Sequence, residues 1–318
     1  MPKFFIKHLT EYKYSSPVID GANQIRLYPI GDAYQKIERH NLHISNNPKV
    51  VTRKDFYDNT VGSFSYIEPH DYLSIVSEIE INTSEKPFPE DVIFVEEQWQ
   101  SLESLKTNPD FIDFLNVITF DGTPFIKNLI EENKYYELSP FKAVLHLSKY
   151  IFTNFEYIQG ITHVDSKLDE VWKLKAGVCQ DFTNILLQMV RMMGIPARYV
   201  SGYICPNKEG SRGEGATHAW IEAYIPFYGW LGIDPTNNTI ANQYHVKLGV
   251  GRNYDDCAPV KGVYKGVAND ELFVKVIVRS EKENPMDAID SEELKESVTQ
   301  KNSYQKNLEI LQQIQQQQ

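Results

Sequence analysis

The chain has 318 residues, of which 42% are hydrophobic, 12% aromatic and 24% charged, the make-up of a folded globular protein rather than a disordered one. Its 32 Lys and Arg against 43 Asp and Glu leave a net charge of −11, and no Lys/Arg-dense run offsets it locally. That balance argues against binding nucleic acid or an anionic membrane surface.

An ordinary domain takes about 100–200 residues, so two compact units are expected. The N-terminus, MPKFFIKHLTEYKYSSP, places charges and tyrosines where a signal peptide needs an unbroken apolar stretch. A cytoplasmic protein is the expectation. Cys179, Cys205 and Cys257 are odd in number and lack C-x-x-C spacing, which suits neither a disulfide framework nor a four-cysteine zinc site. They fit a reducing compartment with room for one specialised thiol.

Residues 1–85 run in short alternating stretches such as NLHISNN, GSFSYIEP and YLSIVSEIEIN, broken by Pro, Gly, Asn and Asp. This period of two predicts an all-β, sandwich-like domain. His40 and His43 stand at odd spacing there, on opposite faces of a strand, which argues against a joint metal site. Residues 86–136 mix proline-bearing turns with short helical patterns and read as a connector. From 137 to 284 a second, catalytic domain is expected. It opens with a helix capped by Ser139 with Pro140 at its first position. Residues 285–318, ending LEILQQIQQQQ, read as a polar low-complexity tail.

Within the second domain, Phe182, Ile185, Leu186, Met189, Val190 and Met193 share one helical face, and Gly194 and Pro196 close the helix. ARYVSGYI, THAWIEAYI and GWLGID follow as strands, so the fold class is α+β, a helix packed on an antiparallel sheet. At the first turn of this helix stands Cys179. An ordinary cysteine, with a pKa of about 8.5, is mostly protonated at neutral pH, and a helix N-terminus supplies only about 0.3–1 kcal/mol toward the thiolate. A working nucleophile therefore needs an imidazolium beside it, oriented in turn by a carboxylate or amide.

His218, 39 residues on in THAWIEAYI, and Asp234, 16 further in GWLGID, are the candidates. If residues 225–229 form the hairpin loop, Asp234 lies opposite Trp220. That is one diagonal step from His218, about 7–8 Å between backbones.

GVCQDF, GIPARYVSGYI, THAWIEAYIPFYGWLGIDPTNN and GRNYDD…APVKGVYKG together resemble the bacterial branch of the transglutaminase-like superfamily, whose core is papain-like. The early segment YKYSSPV…IRLYPI…DNTVGSF…EPHDYLSI is similar to the β-rich domain that commonly precedes that core. The resemblance implies a Cys179–His218–Asp234 triad acting on a peptide or protein substrate; no cofactor is expected, and the lack of any DxDxDG-type calcium loop predicts metal-independent activity. The chemistry implied is acyl transfer from an amide, leaning to a cysteine protease or amidase. A protein-glutamine transglutaminase is the alternative. The rival from another class is a catalytically inactive peptide-binding module, and a zinc hydrolase using His218, Cys179 and Asp234 as ligands comes third.

The Cys179 N–H is the natural first oxyanion donor. Trp172 or Gln180 is a candidate for the second, against the plainer expectation that Trp172 packs on the helix and Gln180 is solvated. Asp181 reads as a helix-start acid. Trp220 and Tyr254 are candidates for the cleft wall, with Trp220 and Trp230 otherwise core aromatics. Arg252, Tyr254 and Asp256 read as a structural network at the cleft rim. Cys205 and Cys257 read as inert, and His163 and His245 have no companions in the sequence.

Overall fold

The computed structural model describes residues 1–206, 210–213 and 217–281, together with the backbone of Ile289–Asp290 and Leu294–Glu296. The chain forms two units, one built on Met1–Thr83 and the chain from Ala258 onward, the other on Ser84–Gly213 and Thr217–Cys257.

The first unit is organised by one long strand, Lys3–Ile25. Its alternation buries Phe4, Ile6, His8 and Thr10. The strand His70–Thr83 offers the matching period through Leu73, Ile75, Ser77, Ile79 and Ile81. Ile6 accordingly lies opposite Ile79 on one side and Val278 of the strand Asp270–Ser280 on the other. The register breaks between Lys13 and Val18, and Asp20 takes a positive φ of 50°. Beyond this break the same strand pairs with Thr60–Tyr66 and Val260–Lys265. Sequence pattern suggested several short strands here; an irregularity joins what would be two into one.

The placement of 258–281 differs from the sequence reading, which put it in the catalytic domain. Val276 and Val278 alternate in step with the first strand, and antiparallel pairing with it draws the segment into the β unit. Of the polar tail, Ile289–Asp290 and Leu294–Glu296 pair with Asp270–Ser280, and the remainder lies outside the described residues.

In the second unit the helix Cys179–Met192 lies on a five-stranded antiparallel sheet. The strand order is Thr239–Ile240, Gly229–Asp234, Thr217–Ile225, Ala197–Ile204, His245–Gly251. The helix Pro140–Asn154 packs against the central helix, capped by Ser139 with Pro140 at its first position as the sequence predicts. Between sheet and helices nearly every residue from Asp181 to Arg191 is buried. Gly194, with φ of 77°, ends the run.

The segment 86–136 is more than a connector: its Leu102, Phe120, Ile126 and Ile130 are buried in the same core as Leu147 and Phe182. Buried Arg191 fastens this arrangement by donating to the carbonyls of Ala197, Asn116 and Arg252. Among the described residues no helix is long and apolar enough to cross a membrane.

Candidate active site

The stem that leads into the central helix is fixed before the helix begins. Ala176–Gly177 pairs in parallel with Glu156–Tyr157, and Val178 is extended, so Cys179 is the first helical residue. Asp181 is 3% exposed, and its Oδ2 accepts the backbone N–H of Val178 at 2.8 Å and the Thr162 hydroxyl at 2.6 Å. A Cβ at Gly177 would stand 2.4 Å from that oxygen, so only glycine fits. Burial raises the Asp181 pKa despite both hydrogen bonds. Asp181 is therefore more than an acid favoured by the helix dipole, because it holds the turn that presents the thiol. Gln180, half-buried rather than solvated, donates from Nε2 to the Val164 carbonyl at 3.0 Å.

His218 and Asp234 arrive from neighbouring strands. Ile225 pairs with Gly229 and Ile221 with Ile233, so the next step sets Asp234 opposite Trp220, the register the hairpin spacing predicts. His218 Nε2 lies 2.8 Å from Asp234 Oδ2, and both side chains are fully buried. The Asp234 carboxylate also accepts the N–H groups of Thr236 (2.8 Å) and Asn237 (3.3 Å) on Oδ1, and Asn237 Nδ2 (2.8 Å) on Oδ2. This explains the run DPTNN, a carboxylate closing on the backbone two and three residues ahead.

Burial works against the charges of this pair, but the two groups outweigh it: Asp234 is held well below the usual carboxylate range and His218 well above the usual imidazole range. With Nε2–H committed to Asp234, Nδ1 is the ring nitrogen left for another partner. The Cys179 thiol acts on the titration of His218, yet Nδ1 completes no hydrogen bond among the described residues. Cys179 is therefore the neighbour closest in effect to the free side of the ring, acting on it both through its charge and as a hydrogen-bonding group.

Two residues join this site without a sequence signal. Tyr157 lies beside it: burial, then Cys179, push its hydroxyl up to about 12. A methyl added at Gly213 would stand 3.2 Å from His218 Nδ1 and 3.7 Å from that hydroxyl. His245, which the sequence leaves without a companion, has one: its Nε2 lies 3.3 Å from Asp234 Oδ2.

The other candidates fall elsewhere. Trp172 packs with Phe120, Phe125 and Phe155, beneath the Lys175 ammonium. Trp220, 2% exposed, is a buried aromatic rather than a cleft wall. Its ring lies over Gly202 and Gly232 on the flanking strands, where a Cβ would come within 2.6 and 3.3 Å of it. Tyr254 packs edge-on against buried Tyr199, and Arg252 makes a two-pronged pair with Asp256. Trp230 stands against Phe111, Phe114, Tyr224 and the Arg198 guanidinium. Cys205 and Cys257 are buried. His40 bonds Ser77, and exposed His163 is tied through its backbone to Ser166.

Among the described residues, the one group of side chains with metal-ligand spacing is His218, Asp234 and His245, and it does not include Cys179. Two ligands of one tetrahedral zinc ion, with bonds of about 2.0–2.1 Å, stand about 3.3 Å apart. The 2.8 Å between His218 and Asp234 is a hydrogen bond instead. The ligand set His218, Cys179, Asp234 of a zinc hydrolase is therefore not assembled.

Comparison with known proteins agrees with this architecture. The transglutaminase-like superfamily matches residues 129–235, and the bacterial transglutaminase-like N-terminal region matches residues 4–82. An uncharacterised protein of Mycobacterium leprae is 32% identical over 278 residues, 85% of this chain and 96% of its own length. A candidate cysteine protease from Cytophaga hutchinsonii shares the fold with a TM-score of 0.69 at 21% identity, covering 89% of this chain and 92% of its own. A protein-glutamine gamma-glutamyltransferase of Pseudomonas aeruginosa is 32% identical over 85 residues, 24% of this chain and 12% of its own length. The chain belongs to the transglutaminase-like superfamily, a family of papain-like enzymes, and carries that superfamily's bacterial N-terminal region.

Proposed function

We propose that the protein is a thiol-dependent acyl-transfer enzyme acting on peptide or isopeptide amide bonds, a cysteine protease or amidase. Cys179 is the nucleophile, His218 the general base and acid, and Asp234 the carboxylate that orients it. The observation that carries this reading is the buried 2.8 Å bond from His218 Nε2 to Asp234, which leaves Nδ1 for the thiol at the helix start.

In the first half-reaction the Cys179 proton passes to His218 Nδ1 and sulfur attacks the amide carbonyl carbon. The backbone N–H of Cys179, at the first helical position, has no intrahelical acceptor and donates to the developing oxyanion. His218 then returns the proton to the departing amine as the C–N bond breaks, leaving a thioester on Cys179. In the second half-reaction His218 takes a proton from water, hydroxide oxygen attacks the thioester, and the acid and free thiol are released.

A primary amine in place of water would make the enzyme a protein-glutamine transglutaminase. The local likeness to the Pseudomonas glutamyltransferase favours keeping this second reading. The deciding experiment offers peptide-amide and glutamine-peptide substrates with and without millimolar primary amine and reads products by mass spectrometry. Free acid is expected. Mostly amine adduct would replace hydrolysis by transamidation, and no product from any amide would favour a peptide-binding module.

A further inference from the structure

Asp234 gathers more donors than the orientation of one histidine requires. His245 opens the strand His245–Gly251, apart from the strands that carry His218 and Asp234, and is 8% exposed. Its Nε2 is 3.3 Å from Asp234 Oδ2, the oxygen that His218 also uses. Its Nδ1 faces both the backbone N–H of Asn242 at 3.2 Å and that residue's Oδ1 at 3.3 Å. Asn242 thus offers a donor and an acceptor, so Nδ1 has a partner with or without a proton, and Nε2–H points to Asp234 in either state. The ring is fixed edge-on to Trp220, with centroids 5.2 Å apart, and lies 6.2 Å from the His218 ring.

We propose that His245 is a positioning residue of this site: its Nε2–H shares Asp234 Oδ2 with His218, steadying the carboxylate and dividing its charge between two rings. This rests on the acyl-transfer reading, because it attaches His245 to the same triad. Thr236 and Asn237 hold the carboxylate independently, so losing the His245 donor leaves Asp234 in place with more of its charge for His218. The His218 imidazolium then persists to higher pH. Among the described residues Cys179 also acts on His218, and Tyr157 interacts with Asp234 and Arg212; none of these is altered by the substitution.

The test is the pH dependence of Cys179 alkylation by iodoacetamide, which needs no substrate. Wild type should show an upper step where His218 loses its proton beside the thiolate, and His218→Ala should abolish it. If His218→Ala leaves the profile unchanged, the triad reading fails, and the role of His245 with it. If the triad reading holds, His245→Phe should raise the midpoint of that step by about 0.5–1 pH unit. His245→Gln, which can restore an N–H donor, should return it to the wild-type value. An unshifted midpoint in a folded His245→Phe protein, or an equal shift in His245→Gln, overturns the proposal. Histidine labelled with nitrogen-15 gives the same test in the wild-type protein. After assignment of the ring signals, protected N–H protons on both His218 and His245 are expected; protection of His218 without His245 overturns it.

Discussion

Asp181 reaches back to the backbone N–H of Val178 at 2.8 Å, and the residue at the hinge of that turn is Cys179. What the carboxyl supplies is an acceptor. Its charge works against it, since burial raises its pKa. A carboxyl raised in the folded state favours folding below its ordinary range, and that contribution is lost as pH rises through the folded value. Asp181→Asn should therefore melt within a few degrees of wild type at neutral pH. Asp181→Ala, which leaves the Val178 N–H and the Thr162 hydroxyl without their acceptor, should lose about 1–3 kcal/mol. Thermal melts of the two variants check this, and equal losses would refute the acceptor role.

Glu222 gives the fold a second, pH-dependent tie. Burial opposes its charge, but Arg198 at 2.6 Å and Lys247 at 3.0 Å outweigh burial and hold its pKa down at about 2. A carboxyl lowered in the folded state stabilises above its ordinary value and loses that contribution as pH falls toward the folded value. Glu222→Gln leaves two cations beside a neutral amide in a buried place, and about 3–5 kcal/mol should be lost at pH 7. Denaturant titrations should show the gap between wild type and variant closing between about pH 4.5 and 2. A gap independent of pH would show that the ion pairs are not its source.

The parts of this site legible in the sequence are those set by local periodicity. Alternation along THAWIEAYI and GWLGID, with a short loop between, fixes Asp234 opposite Trp220, and the helical spacing after Cys179 fixes the buried helix. His245 escaped because its strand reaches the pair across the strand Ala197–Ile204. That strand presents Gly202 opposite His218, and the Trp220 ring lies over this glycine and meets His245. Sheet order of this kind depends on long-range pairing, which period and spacing do not encode. The same limit hid the return of Asp270–Ser280 to the first strand, which pairs residues as distant as Ile6 and Val278. Tyr157 was one tyrosine among 19 until its short pairing with the stem before Cys179 was visible.

The three thiols should separate cleanly by access. Cys205 is 0% and Cys257 1% exposed, whereas Cys179 is half-buried at a helix start. Iodoacetamide at pH 6.5 on the native protein should label Cys179 alone, with the other two appearing only after unfolding; peptide mapping reads the outcome. His218→Ala should slow this labelling by at least about tenfold, because the imidazolium that favours the thiolate is gone. Equal labelling of all three thiols in folded protein would remove the basis for a specialised cysteine.

The most direct measurement of the central claim is capture of the acyl-enzyme. Wild-type protein is mixed with a peptide amide or activated peptide ester, quenched in acid within seconds, and examined by intact mass and peptide mapping. A thioester adduct on Cys179 is predicted, absent in Cys179→Ala and formed at least about a hundredfold more slowly in His218→Ala. Acylation that survives Cys179→Ala, or none on Cys179 with any activated ester, would contradict the account.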